Sequence, residues 1–287
     1  MTLDELIEQL SLERLEQNIY RGASRHLGGR SVYGGQVLGQ ALMAAGRTVP
    51  AEWSVHSLHA YFLRAGDTDA SIIYKVERIR DGKSFATRRV AATQHGRPIF
   101  HMSSSFQVRE DGVEHQIEIL RVPFPEDISA IDPTKAENEP KKQNMGTENE
   151  LKPIDVKFVN PVDPYKPKPQ LPHRHIWFKA SGQLPDDPHL HRTFLAYVSD
   201  LYVLGTALLP HGLSFRQRNL QGASIDHAMW FHRDFRADDW LLYQLDSPFT
   251  GGARGLGRGN IFSRDGQLVA TVIQEGLIRL HPEEALE

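Results

Sequence analysis

One six-residue pattern occurs twice in this chain, far apart. Val37-Leu-Gly-Gln-Ala-Leu42 in the first half matches Val203-Leu-Gly-Thr-Ala-Leu208 in the second. Three further matches follow in the same order, and the spacing between matched residues drifts only from 166 to 170. They are His59-Ala-Tyr-Phe62 with His227-Ala-Met-Trp-Phe231, Ile72-Ile-Tyr74 with Leu241-Leu-Tyr243, and Gly96 with Gly266. Four matches in order predict that one folding unit has been duplicated.

Each unit is predicted to combine one helix with an antiparallel sheet. The first-half helix, residues 34–46, has apolar or small residues nearly all round, so it should be enclosed on most sides. The strands that follow are expected at 53–64, 70–80, 84–95 and 99–108. In the second half, a helix over 190–209 precedes strands at 223–233, 240–247, 254–264 and 268–279. The predicted class is α+β, with each sheet curled around a helix.

The region between the two units differs in composition. Residues 123–172 hold 10 of the chain's 17 prolines and one glycine, and residues 135–152 are almost wholly polar. Proline removes backbone donors and polar residues supply no core, so this region should be partly disordered or extended over the surface. We therefore predict domains at 1–115 and 173–287, joined by a linker at 116–172. A short amphipathic helix at 2–10 and a strand at 15–20 are expected before the first unit.

Charge and composition exclude several functional classes. A net charge of −3 gives no electrostatic basis for binding nucleic acid. No apolar run approaches the ~20 residues of a membrane span, and neither a signal-peptide core nor a terminal Ser-Lys-Leu occurs. The chain has no cysteine, which excludes disulfides, thiolate zinc sites and cysteine nucleophiles. A cytoplasmic protein without a metal or cofactor is expected.

Common catalytic motifs are missing, and two other features have simple interpretations. There is no G-x-S-x-G, no P-loop and no H-E-x-x-H. The glycine-rich run 251–259 leads into a strand, whereas a phosphate-binding loop should open a helix, so a bulged strand is favoured. The pairs His173/His175 and His189/His191 lack carboxylates at ligand spacing and are expected at the surface.

Three polar residues in the second half remain as candidates. Asp200 falls on the shoulder of the apolar stripe of its helix, where partial burial would raise its pKa. A helix-edge cap or salt bridge is the alternative. Ser224 is predicted to share a strand face with Asp226. Gln274 shares a face with Leu268, Ala270 and Val272, so its amide must find hydrogen-bond partners. Backbone groups alone could satisfy either side chain.

The first half serves as an internal comparison for these three positions. Gly34, His56 and Ser104 occupy the matching places in the sequence alignment of the halves. The repeated fold can therefore be built without an Asp, a hydroxyl and a Gln at these positions, which favours a functional role for them in the second half.

Four segments resemble the acyl-CoA thioesterase II family. They are Val32-Tyr-Gly-Gly-Gln-Val-Leu-Gly-Gln-Ala41, Val55-His-Ser-Leu-His-Ala-Tyr-Phe-Leu-Arg64, Ile225-Asp-His-Ala-Met-Trp-Phe-His-Arg233 and Gln274-Glu-Gly276. The resemblance runs from about residue 10 to about residue 280 and covers only the linker poorly. It implies a double hotdog fold, hydrolysis of fatty acyl-CoA to free acid and coenzyme A, and a homodimer or homotetramer.

The resemblance also implies a catalytic trio of Asp200, Ser224 and Gln274, with Ser224 where many members have Thr. The leaving thiol has a pKa near the ~8.5 of cysteine, so the reaction needs no strong general acid. It needs a water held at the carbonyl and a base to take the proton. We expect Asp200 to be that base while Ser224 and Gln274 hold the water. Direct attack by Asp200 through an anhydride is the alternative.

Two other functions are compatible with a hotdog fold. A dehydratase or hydratase acting on acyl thioesters would need a His–Asp or His–Glu pair on the helix of the site. A non-catalytic acyl-CoA sensor would have a dispensable trio. Hydrolysis is favoured over the dehydratase because the helix that carries Asp200 has no His beside it.

Overall fold

A computed structural model describes residues 1–26, 29, 31–128 and 153–282 of the protein. The first half contains α1 (Leu3–Leu10), β1 (Glu13–Glu16), β2 (Ile19–Gly22), α2 (Gly34–Gly46), β3 (Ser54–Phe62), β4 (Ile72–Asp81), β5 (Phe85–Gln94) and β6 (Arg97–Gln107). The second contains β7 (Ile154–Phe158), β8 (His173–Ala180), α3 (Pro188–Ser199), α4 (Val203–Thr206), β9 (Leu220–Ser224), β10 (Asp226–Phe231), β11 (Leu241–Gly251), β12 (Arg254–Ser263) and β13 (Leu268–Leu280).

The described strands form one antiparallel sheet that is continuous through both halves. Their order is β1-β2-β4-β5-β6-β3-β10-β13-β12-β11-β8-β7, with β9 also paired to β13. Read outwards from the central pair β3–β10, the two halves repeat the same connections. The duplication predicted from the sequence is therefore present in the topology, and the two units are joined edge to edge through their central strands.

The pairing of the central strands corrects one of the sequence matches. His59 lies opposite Ala228. His59 is exposed on the convex outer face, whereas His227 is fully buried on the inner face. Equivalent residues of the two halves must lie on the same face, so the predicted match of His59 with His227 is wrong by one residue. Phe62 and Phe231, the last residues of the two motifs, remain equivalent.

Each half wraps its sheet around one helix, as expected for a double hotdog. Helix α2 lies on β4, β5 and β6, and α4 lies on the corresponding strands β11, β12 and β13. Residues 35–45 of α2 are all buried, as the sequence pattern predicts. The strand glycines allow α4 to lie close to its sheet, because a Cβ on Gly257 would come within 2.5 Å of the Val203 carbonyl oxygen. The glycine-rich run 251–259 is thus a hairpin turn followed by a packed strand.

The helix predicted over 190–209 is interrupted. Helix α3 ends at Ser199, and Tyr202 adopts a left-handed backbone with φ of 67° before α4 begins at Val203. Since α4 occupies the place of α2 on the sheet, α3 is an addition to the second unit. The prediction of one continuous helix is therefore wrong at the position of Asp200, where the side chain makes contacts outside its own helix.

Helices α2 and α3 pack antiparallel at the centre of the core that spans both halves. Two glycines of α2 make this contact possible. A Cβ on Gly35 would overlap the carbonyl oxygen of Tyr197, and one on Gly39 would lie 3.3 Å from the carbonyl oxygen of Thr193. In addition, Tyr33 donates its hydroxyl to the Tyr197 carbonyl at 2.9 Å. The N-terminus of α2 is thereby held against the last turn of α3.

Several element boundaries differ from the predictions. The strand expected at 15–20 is the β1–β2 hairpin, and the strand expected at 223–233 is divided between β9 and β10.

The stretch Pro188–His211 has the length and mean hydropathy of a membrane span, contrary to the prediction that no such run exists. Of the apolar 18-residue window within that segment, 72% is buried inside the protein, as in the core helix of a globular protein.

Part of the predicted linker packs on the second sheet. Strand β7 lies within the range 116–172 and pairs with β8. Ile119 and Val122 cover the outer face of β8, β11 and β12 around Trp177, whose indole donates to the Pro123 carbonyl at 2.9 Å. The wholly polar stretch 135–152 lies outside the described residues. The linker boundaries remain a prediction, but residues 119–123 and β7 contribute to folded structure.

Candidate active site

The structure brings Asp200, Ser224 and Gln274 together from three separate elements. Asp200 caps the C-terminus of α3, Ser224 is the last residue of β9, and Gln274 lies in β13. Gln274 Nε2 donates to Asp200 Oδ1 at 2.5 Å and to Ser224 Oγ at 2.7 Å, and Ser224 Oγ donates to the same Oδ1 at 3.2 Å. The three side chains form a closed hydrogen-bonded triangle on the inner face of the sheet.

The first half completes the surroundings of Asp200. The backbone N–H of Gly35, in the first turn of α2, donates to Asp200 Oδ2 at 2.8 Å. Asp200 stands at the negative end of α3, which disfavours a carboxylate, whereas the positive end of α2 favours one. Gly34 has no Cβ, and a Cβ there would lie 2.8 Å from Asp200 Oδ2. Gly34 is thus the first-half counterpart of Asp200, and its lack of a side chain leaves the space that the Asp200 carboxylate occupies.

Burial raises the pKa of Asp200 above the usual range of a carboxyl group, because the charged form loses solvation. Hydrogen bonds from Gln274, Ser224 and the Gly35 backbone favour the charged form and lower the pKa in turn. Desolvation is the larger effect. The arrangement yields a carboxylate that is held in place by three donors and is more basic than an exposed Asp.

The orientation of the Gln274 amide follows from its partners. Turned round, the amide would point its oxygen at the Asp200 carboxylate, and two acceptors would face each other. The side chain is completely buried, and its Oε1 makes no hydrogen bond within the described chain. The predicted shared face with Ala270 and Val272 is confirmed, since both are also fully buried. The prediction is wrong for Leu268, which packs with Trp177 on the outer face because the register between β12 and β13 shifts by one residue before Ala270. The partners of the amide are side chains and not the backbone groups of the alternative interpretation.

Ser224 reaches the site because the strand is irregular beside it. Ser224, in β9, lies opposite Gly276 of β13, whereas Ala228 of β10 lies opposite Ile273 of β13. These two registers differ by one residue, so a β-bulge at Ile225 and Asp226 separates the strands. Side-chain alternation is reversed across the bulge. The prediction that Ser224 and Asp226 share a face is therefore wrong, and Ser224 points inwards.

The register also revises the first-half comparison. Strand β3 has its own irregularity between Val55, opposite Phe106, and Ser57. Val55 is the buried residue that precedes this bulge, as Ser224 precedes the bulge of the second half, so Val55 and not His56 is the counterpart of Ser224. Ser104 remains the counterpart of Gln274. The first half thus carries Gly34, Val55 and Ser104 at the three places, and none of these can act as a base.

A second layer of buried polar groups fixes the end of α3. Ser199 Oγ donates to the Ala196 carbonyl and lies 2.9 Å from His227 Nε2, which must therefore be the donor to Ser199. The Tyr243 hydroxyl donates to the Ser199 carbonyl at 2.9 Å. Burial lowers the pKa of His227 to about 3, so the imidazole is neutral. The sequence analysis missed these groups, because nothing in a sequence links residues from three distant elements.

The other histidines do not form a site. His191 is buried, and its Nδ1 accepts from the Ala237 N–H at 3.0 Å, so its predicted surface position is wrong. His173 is exposed as predicted, while His175 and His189 are partly buried. Among the described residues, no group of three or more His, Asp or Glu could hold a metal ion.

Known protein families match both halves of the chain. A family described as acyl-CoA thioesterase matches residues 150–277, and the N-terminal domain of acyl-CoA thioesterases matches residues 23–107. Mouse acyl-coenzyme A thioesterase 8 is 42% identical over 96% of this chain and 88% of its own length. Acyl-CoA thioesterase 2 of Haemophilus influenzae is 41% identical over 96% of this chain and 98% of its own length.

Solved structures confirm the fold expected from the resemblance. The crystal structure of an acyl-CoA thioesterase II from Mycobacterium marinum superposes with a TM-score of 0.81, at 45% identity, over 97% of this chain and 99% of the other. A hot dog protein from Alicyclobacillus acidocaldarius gives a TM-score of 0.77 at 16% identity, over 97% and 99% of the two chains, which shows the shared fold alone. The chain belongs to the acyl-CoA thioesterase family and is a thioester hydrolase with the double hotdog fold.

Proposed function

We propose that this enzyme hydrolyses fatty acyl-CoA, with Asp200 as the general base for a water molecule that Ser224 and Gln274 position. One observation carries the proposal. The Asp200 carboxylate is desolvated, which raises its pKa, and yet Ser224, Gln274 and the Gly35 N–H hold it in a fixed orientation. A carboxylate in such surroundings is suited to removing a proton from bound water.

The remaining steps follow from the chemistry of the thioester. The hydroxide equivalent attacks the carbonyl carbon, and the resulting tetrahedral intermediate expels the coenzyme A thiolate. Because a thiol of pKa near ~8.5 leaves readily, no strong acid is required at the sulfur. The positive end of α2 faces the site from the other half and would favour negative charge on the thioester oxygen during attack.

The competing mechanism is nucleophilic attack by Asp200 itself. That route forms an acyl–aspartyl anhydride, which water then hydrolyses. The hydrogen-bonded triangle favours water activation, because Asp200 Oδ1 already accepts from Ser224 and Gln274, and Oδ2 accepts from Gly35. The donors hold both oxygens in place and define where a water can approach the carboxylate.

Rapid-quench mass spectrometry separates the two routes. The enzyme is mixed with palmitoyl-CoA in ¹⁸O-labelled water, and thiol release is followed with a thiol-reactive dye. After quenching, the masses of the protein and of the released fatty acid are measured. Water activation predicts label in the released palmitate and a protein mass without an acyl adduct or label. An acyl adduct, or label incorporated at Asp200, would instead establish the anhydride route.

Variants test the roles of the individual residues. Ser224→Ala and Gln274→Leu should each lower kcat for palmitoyl-CoA by roughly ten- to a thousandfold, the range for loss of a positioned polar group. Asp246→Asn is the matched control, because Asp246 lies in β11 of the same sheet and pairs with Arg258 on the outer face. Wild-type turnover in Ser224→Ala and Gln274→Leu would contradict the proposed positioning of water.

A further inference from the structure

The bulge beside Ser224 decides which way its side chain points. In β10 the buried, inward residues are His227 and Met229, while Trp230 faces outwards against His59. Regular alternation from β10 would put Ser224 on the outer face with Asp226. The extra residue at Ile225 and Asp226 reverses this, so that Ser224 Oγ meets Asp200 and Gln274. The site depends on this irregularity being maintained.

A bulge leaves backbone groups without their usual ladder partners, and each must be satisfied in another way. The Ile225 N–H donates to the Glu275 carbonyl at 2.9 Å, and the Ile225 carbonyl accepts from the Phe62 N–H at 2.9 Å. Among the described residues, the Glu275 N–H is paired with no residue in the ladders of β9 and β10. It donates at 2.8 Å to the Asp226 carboxylate, through Oδ1. The side chain of Asp226 thus stands in for the carbonyl that the bulge displaces.

Glu275 is the residue that directly follows Gln274. The Asp226 contact therefore fixes the backbone of β13 beside the buried amide, and it fixes the strand of Ser224 two residues from the hydroxyl. Arg254 holds the Glu275 carboxylate through Oε1 at 3.0 Å, which directs the negative charge of Glu275 to another partner. One carboxylate, on the opposite face of the sheet from the trio, connects the two strands that supply Ser224 and Gln274.

The first half contains the bulge without this contact. Since Val55 matches Ser224, Ser57 occupies the place of Asp226 at the irregularity in β3. The neighbouring His56 contacts β6 through its Nε2, which lies 2.8 Å from Ser105 Oγ. The described part of that half shows no carboxylate accepting a strand N–H at this place. The bulge is thus shared by both units, whereas the carboxylate contact occurs in the unit that carries Asp200, Ser224 and Gln274.

We propose that Asp226 is a positioning residue, whose carboxylate binds the Glu275 N–H and holds the bulge that turns Ser224 towards Asp200. The inference rests on the proposed role of Ser224. Asp226 does not touch the reacting atoms in this account. Its effect on turnover passes through Ser224 and should vanish when the Ser224 hydroxyl is absent.

A double-mutant cycle tests this dependence. Asp226→Ala should lower kcat for palmitoyl-CoA by about ten- to a hundredfold, the effect of a displaced catalytic group. In a Ser224→Ala background the same change should lower kcat less than about twofold. Asp226→Asn keeps an acceptor oxygen for the Glu275 N–H and should restore kcat to within about fivefold of wild type, since a neutral acceptor is weaker. Asp246→Ala, in β11, is the control and should leave kcat unchanged.

The outcomes are separable. If Ser224→Ala turns over normally, the proposed role of Ser224 fails and the inference fails with it. If Ser224→Ala is slow but Asp226→Ala is not, only the inference fails. Equal factors for Asp226→Ala in both backgrounds would show a merely structural role and would also overturn it. Should Asp226→Ala not fold, Asp226→Val, a strong strand former without an acceptor, takes its place in the same cycle.

Discussion

The Gly35 N–H donates to Asp200 Oδ2 at 2.8 Å across the junction of the two halves. Asp200, Ser224 and Gln274 all belong to the second half, so the first half contributes a backbone donor and the space left by two glycines. The proposed site on this duplicated scaffold is therefore asymmetric, and both units contribute to its surroundings. A Cβ on Gly35 has no room, since it would overlap the Tyr197 carbonyl oxygen and the ring of Tyr33.

We accordingly expect Gly35→Ala to move α2 away from Asp200. The change should destabilise the protein by roughly 1–3 kcal/mol, as overpacking does, and should lower kcat for palmitoyl-CoA. Thermal unfolding and thiol release measure the two effects. Gly112→Ala is the control, because a Cβ there meets nothing within 4 Å. Wild-type kcat and melting temperature in Gly35→Ala would show that the close approach of the two helices does not matter.

The acid limb of the pH–rate profile should report Asp200. The base must be ionised, so kcat/KM falls as the pH drops through the pKa of Asp200. The hydrogen bond from Gln274 lowers that pKa, and its removal in Gln274→Leu should shift the limb to higher pH, whatever the height of the profile. In Gln244→Leu the limb should stay in place, since the Gln244 amide donates to the Leu120 carbonyl on the outer surface. A limb that is unmoved or shifted to lower pH in Gln274→Leu would contradict the assignment.

His227 should make the stability of the protein depend on pH. Its pKa is about 3 in the folded protein, against about 6.5 in an unfolded chain. Below pH 6.5 the unfolded chain therefore binds a proton that the folded protein does not. As the pH is lowered from 6.5 to 3, this residue alone should reduce the free energy of unfolding by about 1.4 kcal/mol for each pH unit.

Urea unfolding at a series of pH values checks this expectation in the wild type and in His227→Gln. The plot of unfolding free energy against pH should be less steep for His227→Gln in that window, by the contribution of one proton. This holds even if the stability of the variant at neutral pH is lower. If the wild type and His227→Gln had identical slopes, His227 would take up its proton in the folded protein as readily as in the unfolded chain. The donor to Ser199 Oγ would then be a charged imidazolium, which would contradict this prediction.

The sequence predicted the repeated unit well because burial leaves a strong periodic pattern. The bounds of α2 and the placement of Gln274 with Ala270 and Val272 were both correct, since each depends on the local pattern of apolar residues. The break after Asp200 could not be predicted from the apolar stripe, which continues to Leu208. It is stabilised by contacts of Asp200 with Gly35, Ser224 and Gln274, all distant in sequence.

The bulge was missed for a similar reason. Neither Ile225 nor Asp226 is a glycine, so no residue marks the irregularity, and simple alternation placed Ser224 on the wrong face. The packing of Ile119 and Val122 was hidden by the prolines around them. The cytoplasmic location and the homodimer or homotetramer stay predictions, because they depend on surroundings of the chain and not on its fold.

The turnover of Asp200→Asn is the direct test of Asp200 as the general base. Asparagine keeps the size of the side chain but removes the base and the nucleophile together. With palmitoyl-CoA and a thiol-reactive dye, we predict a loss of kcat of roughly 10²- to 10⁴-fold, the usual contribution of a general base. Asp246→Asn should hydrolyse the substrate at the wild-type rate. An Asp200→Asn enzyme that is folded and retains kcat within about twofold of wild type would contradict a catalytic role for Asp200.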